Sequence, residues 1–303
     1  MCHIPGGTFR MGSDKHYPEE RPAHVVSVDQ FWMDACTVSN VQFARFVTAT
    51  GYQTVAERPL DPALYPGALP GMLVPGALVF QMTSGPVDTR DIRNWWRYVP
   101  SANWRHPHGP LSSIDGLEQH PVVHIAFEDA ESYAAWAGKS LPTEAEWEFA
   151  ARSGRDGAEF VWGDELMPGG RHMANIWQGP FPWRNFAADG FTGTSPVGSY
   201  PANDYGLFDM AGNVWQWTVD WYSVSHKVKE AGACCTPHNP RGAGIRASYD
   251  TAQPHIRIPR KVVKGGSFLC APSYCRRYRP AARQSQMVDT AMSHLGFRCV
   301  VRT

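Results

Sequence analysis

The spacing of apolar residues along this chain predicts three short helices. Apolar positions three and four residues apart indicate one helix over residues 39–48 and another over 129–137, each followed closely by a glycine. In "LPTEAEWEFAARSG", Thr143 and Glu146 form the capping-box pattern that begins a third helix, and Gly154 marks its end. The chain therefore has few long helices.

A two-residue alternation of apolar and polar positions predicts short strands separated by glycine-rich turns. The opening "IPGGTFRMGS" is typical of a hairpin edge, and we expect residues 120–127, "HPVVHIAF", to form a buried strand. Three later runs have the same character, namely "YGLFDMAGNVWQWTVDWY", "KVVKGGSFLC" and "HLGFRCVVR". Together these elements predict an α+β fold with little regular structure.

Residues 58–116 are rich in proline and glycine and show no clear period. They include the aromatic stretch "NWWRYVPSANWRHP", and because linkers are poor in aromatic residues, we expect a long ordered loop held by tryptophans. The whole chain has 28 glycines, 25 prolines and 12 tryptophans, which predicts irregular, aromatic-packed structure elsewhere too. We expect one domain over residues 1–303.

Charge narrows the possible function classes. Lys and Arg total 28, as do Asp and Glu, so the net charge is zero and nothing supports binding to nucleic acid or to an anionic membrane. The sequence has no apolar run long enough to span a bilayer, and its first residues lack the apolar core of a signal peptide. We expect a cytoplasmic monomer with no nucleic-acid or membrane partner.

The seven cysteines are an odd number and do not form a disulfide framework. Two of them, Cys270 and Cys275, flank an Ala-Pro step in "GGSFLCAPSYCRRYR". Positions five apart meet in neither a helix nor a strand, but Pro272 favours a turn that brings the sulfurs together. The pair suits a disulfide, a redox-active dithiol or a low-coordinate soft ion such as Cu(I). Zinc is disfavoured because a second cysteine pair is missing.

The chain resembles a known family in six stretches, which are "IPGGTFRMG", "LPTEAEWEFAARSG", "NIWQGPFP", "GLFDMAGNVWQWT", "KGGSFLCAPSYCRRYRPAAR" and "LGFRCV". They are similar to the motifs of formylglycine-generating enzymes, the sulfatase-modifying factors. The resemblance implies a C-type-lectin-like fold with long loops. It also implies a copper-dependent oxidase that converts a cysteine in a Cys-x-Pro-x-Arg segment of an unfolded sulfatase to Cα-formylglycine, using O₂ and a thiol reductant.

The family's motif implies roles for five residues of this sequence. Cys270 and Cys275 would hold Cu(I), and the substrate thiolate would join them as a third sulfur ligand. Ser267 matches a serine of the oxygen pocket, and Trp215 matches an active-site tryptophan. Tyr274 is a further candidate for the pocket.

The resemblance also implies two calcium sites on long loops. The first set of ligands is Asn175, Ile176, Asp189 and Phe191. The second set is Asp209, Gly212, Val214 and Gln216. Gln216 stands where relatives usually have glutamate, so the second set loses an anionic ligand and should bind calcium more weakly.

Other positions also depart from the family pattern. His294 and Ala271 replace an asparagine and a histidine that many relatives have around the cleft. Cys299 matches a cysteine that is disulfide-bonded in secretory-pathway relatives, but the position of its partner carries alanine here. We expect Cys299 to be a free buried thiol and the Cys234-Cys235 pair to be incidental.

Two other functions remain open. A lectin-like paralogue would bind peptide without reacting, and such non-catalytic relatives lack the cysteine pair. Non-haem iron sulfoxide synthases share the fold and use a His-x3-His-x-Glu triad, and here His120 and His124 have the spacing whereas Ala126 stands in place of the glutamate. Flanking apolar residues favour core or hydrogen-bonded histidines over iron ligands.

Overall fold

A computed structural model describes residues 1–69, 73–226 and 236–302, so the Cys234-Cys235 pair lies outside the described residues. The helices within these ranges are α1 (Asn40–Thr50), α2 (Phe127–Trp136) and α3 (Glu144–Arg152). The strands are β1 (Cys2–Ile4), β2 (Gly7–Met11), β3 (His24–Val28), β4 (Phe31–Met33), β5 (Gly76–Phe80), β6 (Trp96–Pro100), β7 (Trp215–Trp221), β8 (Arg260–Lys264), β9 (Arg283–Met287), β10 (Leu295–Gly296) and β11 (Val300–Arg302). The predicted α+β class with long loops is confirmed.

Two sheets and two hairpins organise the described chain. One sheet has the order β1-β4-β11 and is antiparallel, so it joins the first and last strands. The other has the order β10-β7-β8-β9, with β10 parallel to β7 and the remaining pairs antiparallel. β2 pairs with β3, and β5 pairs with β6. The largest cluster of buried apolar residues has members from Ile4 to Val300.

The three predicted helices are confirmed. Ser39 and Gln42 form a capping box at the start of α1, and Gly51 ends it in the left-handed conformation, with φ of 68°. Thr143 and Glu146 cap α3 as predicted, and at its end Ser153 is left-handed, with Gly154 also at a positive φ of 85°. None of the helices in the described ranges has both the length and the apolar character needed to cross a bilayer.

Two predictions from the strand pattern need correction. Residues 120–127 are not a strand, because only Pro121 makes a bridge, with Ser39, and His124 has a φ of 59°. Residues 58–116 are not wholly irregular, because they contain the β5–β6 hairpin. The prediction that tryptophans hold this segment is confirmed, since Trp95 and Trp104 are buried.

Buried charges fix α3 against β8. Glu148 of α3 lies 3.0 Å from the Lys264 ammonium and 2.8 Å from the Arg152 guanidinium. Burial opposes ionisation of Glu148, but these two cations outweigh it and lower the pKa of the carboxyl to about 2. Separating α3 from β8 would leave Glu148 or Lys264 as an unpaired buried charge, which is costly. The ion pair therefore holds the end of β8 against α3. The chain segment that carries the two cysteines begins at that end.

Candidate active site

β8 leads directly into a tight excursion of the chain, residues 265–279, which we call the thiol loop. Gly265 and Gly266 have φ of 93° and 71°, in the left-handed region that favours glycine. A Cβ on Gly266 would lie 3.0 Å from backbone atoms of Arg277 and Tyr278, so the two arms of the loop pass too closely for a larger residue. This crossing sets where the cysteines lie.

The thiol loop brings its two cysteines together. Their Sγ atoms lie 3.0 Å apart, and both are free thiols. The backbone N–H groups of Tyr274 and Cys275 donate to the Ala271 carbonyl at 3.0 and 2.8 Å, which closes a turn around Pro272. The turn predicted from the Ala-Pro step is therefore confirmed, and the structure contains no bond between Cys270 and Cys275.

The two thiols differ in acidity. Burial raises the pKa of Cys270. A hydrogen bond from Cys270 lowers the pKa of Cys275 to about 6 against the opposing effect of burial, and the Arg277 guanidinium adds to the lowering. Of the two thiols, Cys275 is therefore the one whose ionisation is favoured.

Both sulfurs line a cleft of about 430 Å³. Trp215 from β7, together with Ser267 and Tyr274, lines the same cleft, so the structure brings all five predicted active-site residues together. Cys270 and Cys275 are only 2% and 8% exposed. A reactant therefore reaches the sulfurs through this cleft.

An aromatic wall on one side of the cleft was not anticipated from the sequence. The Tyr274 ring stacks on Phe181, with centroids 4.4 Å apart and planes 6° apart, and Trp95 contacts both rings edge-on. Burial raises the pKa of Tyr274 to about 12, so its phenol is neutral. The aromatic run around Trp95 predicted packing, but nothing local in the sequence placed it beside the thiol loop.

The N-terminal segment supplies a charged edge to the cleft. Arg277, which lines the cleft, lies 2.5 Å from the Glu19 carboxylate and 3.9 Å from the centroid of the Tyr17 ring. Arg279 pairs with Glu20, and both of these side chains are buried. These pairs hold the far arm of the thiol loop against residues 17–20.

The first predicted calcium set consists of oxygen atoms that accept hydrogen bonds only from neutral groups in the described part of the chain. The Asp189 carboxylate accepts from the Phe191 N–H at 3.1 Å and from the Tyr200 hydroxyl at 3.0 Å. The Ile176 carbonyl accepts from the Gln178 amide at 2.7 Å, and the Asn175 carbonyl accepts from the Asn213 N–H at 2.9 Å. Carboxylate and carbonyl oxygens with a lone pair to spare are the donors that a hard cation prefers, so Asn175, Ile176 and Asp189 have the chemistry of calcium ligands.

The second predicted set is arranged differently, because the Arg298 guanidinium donates to two of its members, Asp209 and Gln216. Arg298 is fully buried, and its N–H groups donate to five oxygens, those of the Asp34, Ala35, Phe208 and Asp209 carbonyls and of the Gln216 side chain. We call these five oxygens the oxygen cage. The Gln216 amide also donates to the Asp209 carbonyl at 2.8 Å and accepts from the Trp147 indole. The Gln216 oxygen thus already has two donors, and a metal ion bound to it would have to displace the guanidinium and the indole, so Gln216 does not fit as a ligand of a second cation.

The two histidines considered as iron ligands make separate hydrogen bonds. The His124 ring lies 2.9 Å from the Pro107 carbonyl, and the His120 ring lies 2.9 Å from the Thr194 hydroxyl. No group of three or more His, Cys, Asp or Glu side chains in the described ranges could hold a metal ion. The interpretation of His120 and His124 as hydrogen-bonded histidines is confirmed.

Cys270 and Cys275, as two soft donors without a third, fit a low-coordinate soft ion such as Cu(I).

Comparison with known proteins gives the family. Residues 1–303 match the family model described as a sulfatase-modifying factor enzyme 1-like domain. A formylglycine-generating enzyme from Mycobacterium tuberculosis is 55% identical over 301 residues, which cover 99% of this chain and 97% of that protein. A Mus musculus protein named inactive C-alpha-formylglycine-generating enzyme 2 is 37% identical over 312 residues, covering 99% of this chain and 84% of that protein.

A solved structure shows that the fold is shared more widely. PvdO from Pseudomonas aeruginosa superposes with a TM-score of 0.64 at 23% identity, covering 99% of this chain and 93% of that chain. Given the model match over its whole length and the identities to its curated relatives, the chain belongs to the formylglycine-generating enzyme, or sulfatase-modifying factor, family.

Proposed function

We propose that this protein oxidises a cysteine in an unfolded sulfatase segment of the Cys-x-Pro-x-Arg type to Cα-formylglycine, with O₂ as the oxidant and a thiol as the reductant. One observation carries the proposal: two free cysteine sulfurs lie 3.0 Å apart in the wall of an open cleft. The curated relative from Mycobacterium tuberculosis, named for this activity, supports it.

Cys270 and Cys275 would hold Cu(I), which when bound supplies one-electron chemistry toward O₂. The residues of the chain prepare the site for this role. The lowered pKa of Cys275 favours the thiolate form of one sulfur, which is the form that binds a soft ion. Trp215 and the aromatic wall of Trp95, Phe181 and Tyr274 surround the sulfurs with apolar surface, which limits access of water to the reacting cysteine.

For structural metal, the proposal assigns calcium to the first set of oxygens and none to the second. The first set offers oxygens with neutral donors only, whereas the oxygen cage already surrounds a cation of the chain itself.

We further propose a single domain that works as a monomer in the cytoplasm. Free thiols at Cys2, Cys36, Cys270, Cys275 and Cys299 suit such a reducing compartment. Size-exclusion chromatography with light scattering would test the oligomeric state.

A peptide assay tests the proposed activity. The copper-loaded protein is incubated in air with a thiol reductant and a Cys-x-Pro-x-Arg peptide, and mass spectrometry follows conversion of the thiol to an aldehyde. A peptide with serine in place of the cysteine and a sample without copper are the matched controls. Tight binding of the cysteine peptide without any conversion would instead support a non-catalytic, lectin-like paralogue.

A further inference from the structure

His294, which directly precedes β10, is a buried polar residue of the cleft wall. Its Nδ1 lies 3.0 Å from the Ser267 hydroxyl oxygen. Ser267 is completely buried, and the same hydroxyl oxygen accepts a hydrogen bond from the Leu269 N–H at 3.3 Å. The imidazole thus contacts a hydroxyl that the family resemblance places in the active site.

Packing fixes the orientation of the His294 ring. Trp96 meets it in a T-shaped contact, with ring centroids 4.7 Å apart. The His294 carbonyl accepts from the Trp215 N–H at 2.9 Å, which ties its backbone to β7. Because both the ring and the backbone are held, the imidazole offers Ser267 a hydrogen-bond partner in a constant position.

The hydrogen bonds determine where the protons lie. Burial lowers the pKa of His294 to about 3, so the ring is neutral and has one donor and one acceptor nitrogen. In the described part of the chain, the Ser267 hydroxyl has no acceptor within hydrogen-bond distance other than His294 Nδ1. The arrangement that gives the Ser267 O–H an acceptor has Ser267 donating to Nδ1 and the ring proton on Nε2.

Building on the function proposed above, we propose that His294 is a positioning residue that turns the Ser267 O–H away from the cleft, so that Ser267 presents only a lone pair to the substrate. A lone pair accepts a hydrogen bond from the S–H or the backbone N–H of the cysteine to be modified. An asparagine side chain also has an acceptor oxygen and can replace the imidazole in this role. A phenyl ring cannot.

Two substitutions separate positioning from packing. His294→Phe keeps a ring against Trp96 but removes the acceptor, whereas His294→Asn keeps an acceptor and removes the ring. We expect His294→Phe to weaken binding of a Cys-x-Pro-x-Arg peptide to the metal-free protein about tenfold, and His294→Asn to change it less than about threefold. Isothermal titration calorimetry measures the affinities, and thermal melts identify variants that do not fold. The opposite order, with phenylalanine tolerated and asparagine not, would overturn the proposal.

Two further measurements support the same test. Ser267→Ala should weaken the peptide affinity to the same extent as His294→Phe, and the double variant should be no worse than Ser267→Ala alone. Independent, additive losses would overturn the proposal. NMR of the wild-type protein with ¹⁵N-labelled histidine should show an unprotonated Nδ1 at His294, and a protonated Nδ1 would overturn it. None of these readouts needs turnover. If the wild type showed the expected affinities and tautomer but no conversion, the positioning role would stand and the proposed function would fail.

Discussion

Two interior regions on opposite faces of β7 show two ways of arranging donor atoms. Successive residues of a strand point to opposite faces, and Trp215 accordingly lines the cleft whereas its neighbour Gln216 belongs to the oxygen cage. In the cage, five oxygens surround the guanidinium of Arg298, a cation that the chain itself supplies. In the cleft, two sulfurs face an open cavity.

The oxygen cage contributes to the stability of the fold, and the cleft contributes to reactivity. A buried acceptor without a donor costs free energy, so the guanidinium in the cage satisfies five acceptors at once and holds four segments of the chain together. The sulfurs are left accessible to a partner from outside, and one of them is readily ionised. The comparison therefore predicts that changes in the cleft alter activity, whereas changes in the cage alter stability.

The largest expected effect is on activity, from either cysteine of the thiol loop. Cys270→Ser or Cys275→Ser removes a soft donor to the metal. Loss of an outer-sphere partner typically costs about 10- to 100-fold, so loss of a ligand itself should lower peptide conversion further, by roughly a thousandfold or more. The mass-spectrometric assay measures it, with Cu(I) uptake as a second readout. Cys36→Ser, at a half-buried thiol outside the cleft, is the matched control and should stay within about twofold. Retained conversion in either thiol-loop variant would remove the basis of the proposed site.

The largest expected effect on stability comes from the cage. Arg298→Met keeps much of the side-chain volume but leaves the buried Asp34 and Phe208 carbonyls without a donor and removes one donor from each of the other three oxygens. It should destabilise the fold by about 3–5 kcal/mol, or lower the melting temperature by about 10 °C. Scanning calorimetry measures the change. The control is Arg302→Met, because its ion pair with Glu146 is partly exposed and should cost about 1 kcal/mol or less. Equal shifts in the two variants would mean that the cage has no special role.

Calcium should distinguish the first oxygen set from the cage. At a calcium concentration 100 times its Kd, a single site adds about 2.7 kcal/mol of stability, which a chelator should remove. Asp189→Asn should abolish this increment and Asp209→Asn should retain it, because the Asp189 carboxylate accepts only from neutral donors whereas the second set lacks the Gln216 oxygen, which is bonded to Arg298. Calorimetric titration with calcium alone should give one ion per chain. A stoichiometry of two, or loss of the increment in Asp209→Asn, would contradict the distinction.

The smallest expected effect is at the edge of the cleft. Tyr274→Phe removes the hydroxyl and keeps the ring that stacks on Phe181, so kcat/KM for the peptide should change by no more than about threefold. Tyr274→Ala removes the stack and should cost more. If Tyr274→Phe alone lowered kcat/KM tenfold, the phenol itself would have to take part in the reaction.

Features encoded by neighbouring residues were predictable from the sequence. The capping box of Thr143 and Glu146 and the turn around Pro272 depend on contacts within a few residues, and both are present. The segment at residues 120–127 was mispredicted because its apolar pattern matched that of a strand. Its backbone N–H groups instead donate to carbonyls in separate parts of the chain rather than to one neighbouring strand. The Val122 N–H donates to the Val38 carbonyl, and the His124 N–H donates to the Met292 carbonyl.

The rest of the candidate site depends on long-range contacts that leave no periodic signal. Phe181 and Trp95 reach the thiol loop from positions about 90 and 175 residues before it, and His294 reaches Ser267 from 27 residues after it. The sequence identified Gln216 as a departure from the family. It could not show that Arg298, 82 residues away, would donate to the oxygen of Gln216.

The pairing of β10 with β7 has a consequence for biosynthesis. Leu295 lies opposite Trp215, eighty residues earlier in the chain, and β11 then pairs with β4. Because a nascent polypeptide emerges from its N-terminus, β1 to β8 are made before the thiol loop and β9 to β11 after it, so β10 joins β7 only when the final residues are made. A chain truncated shortly before residue 294 would contain both cysteines but would lack His294 and β10.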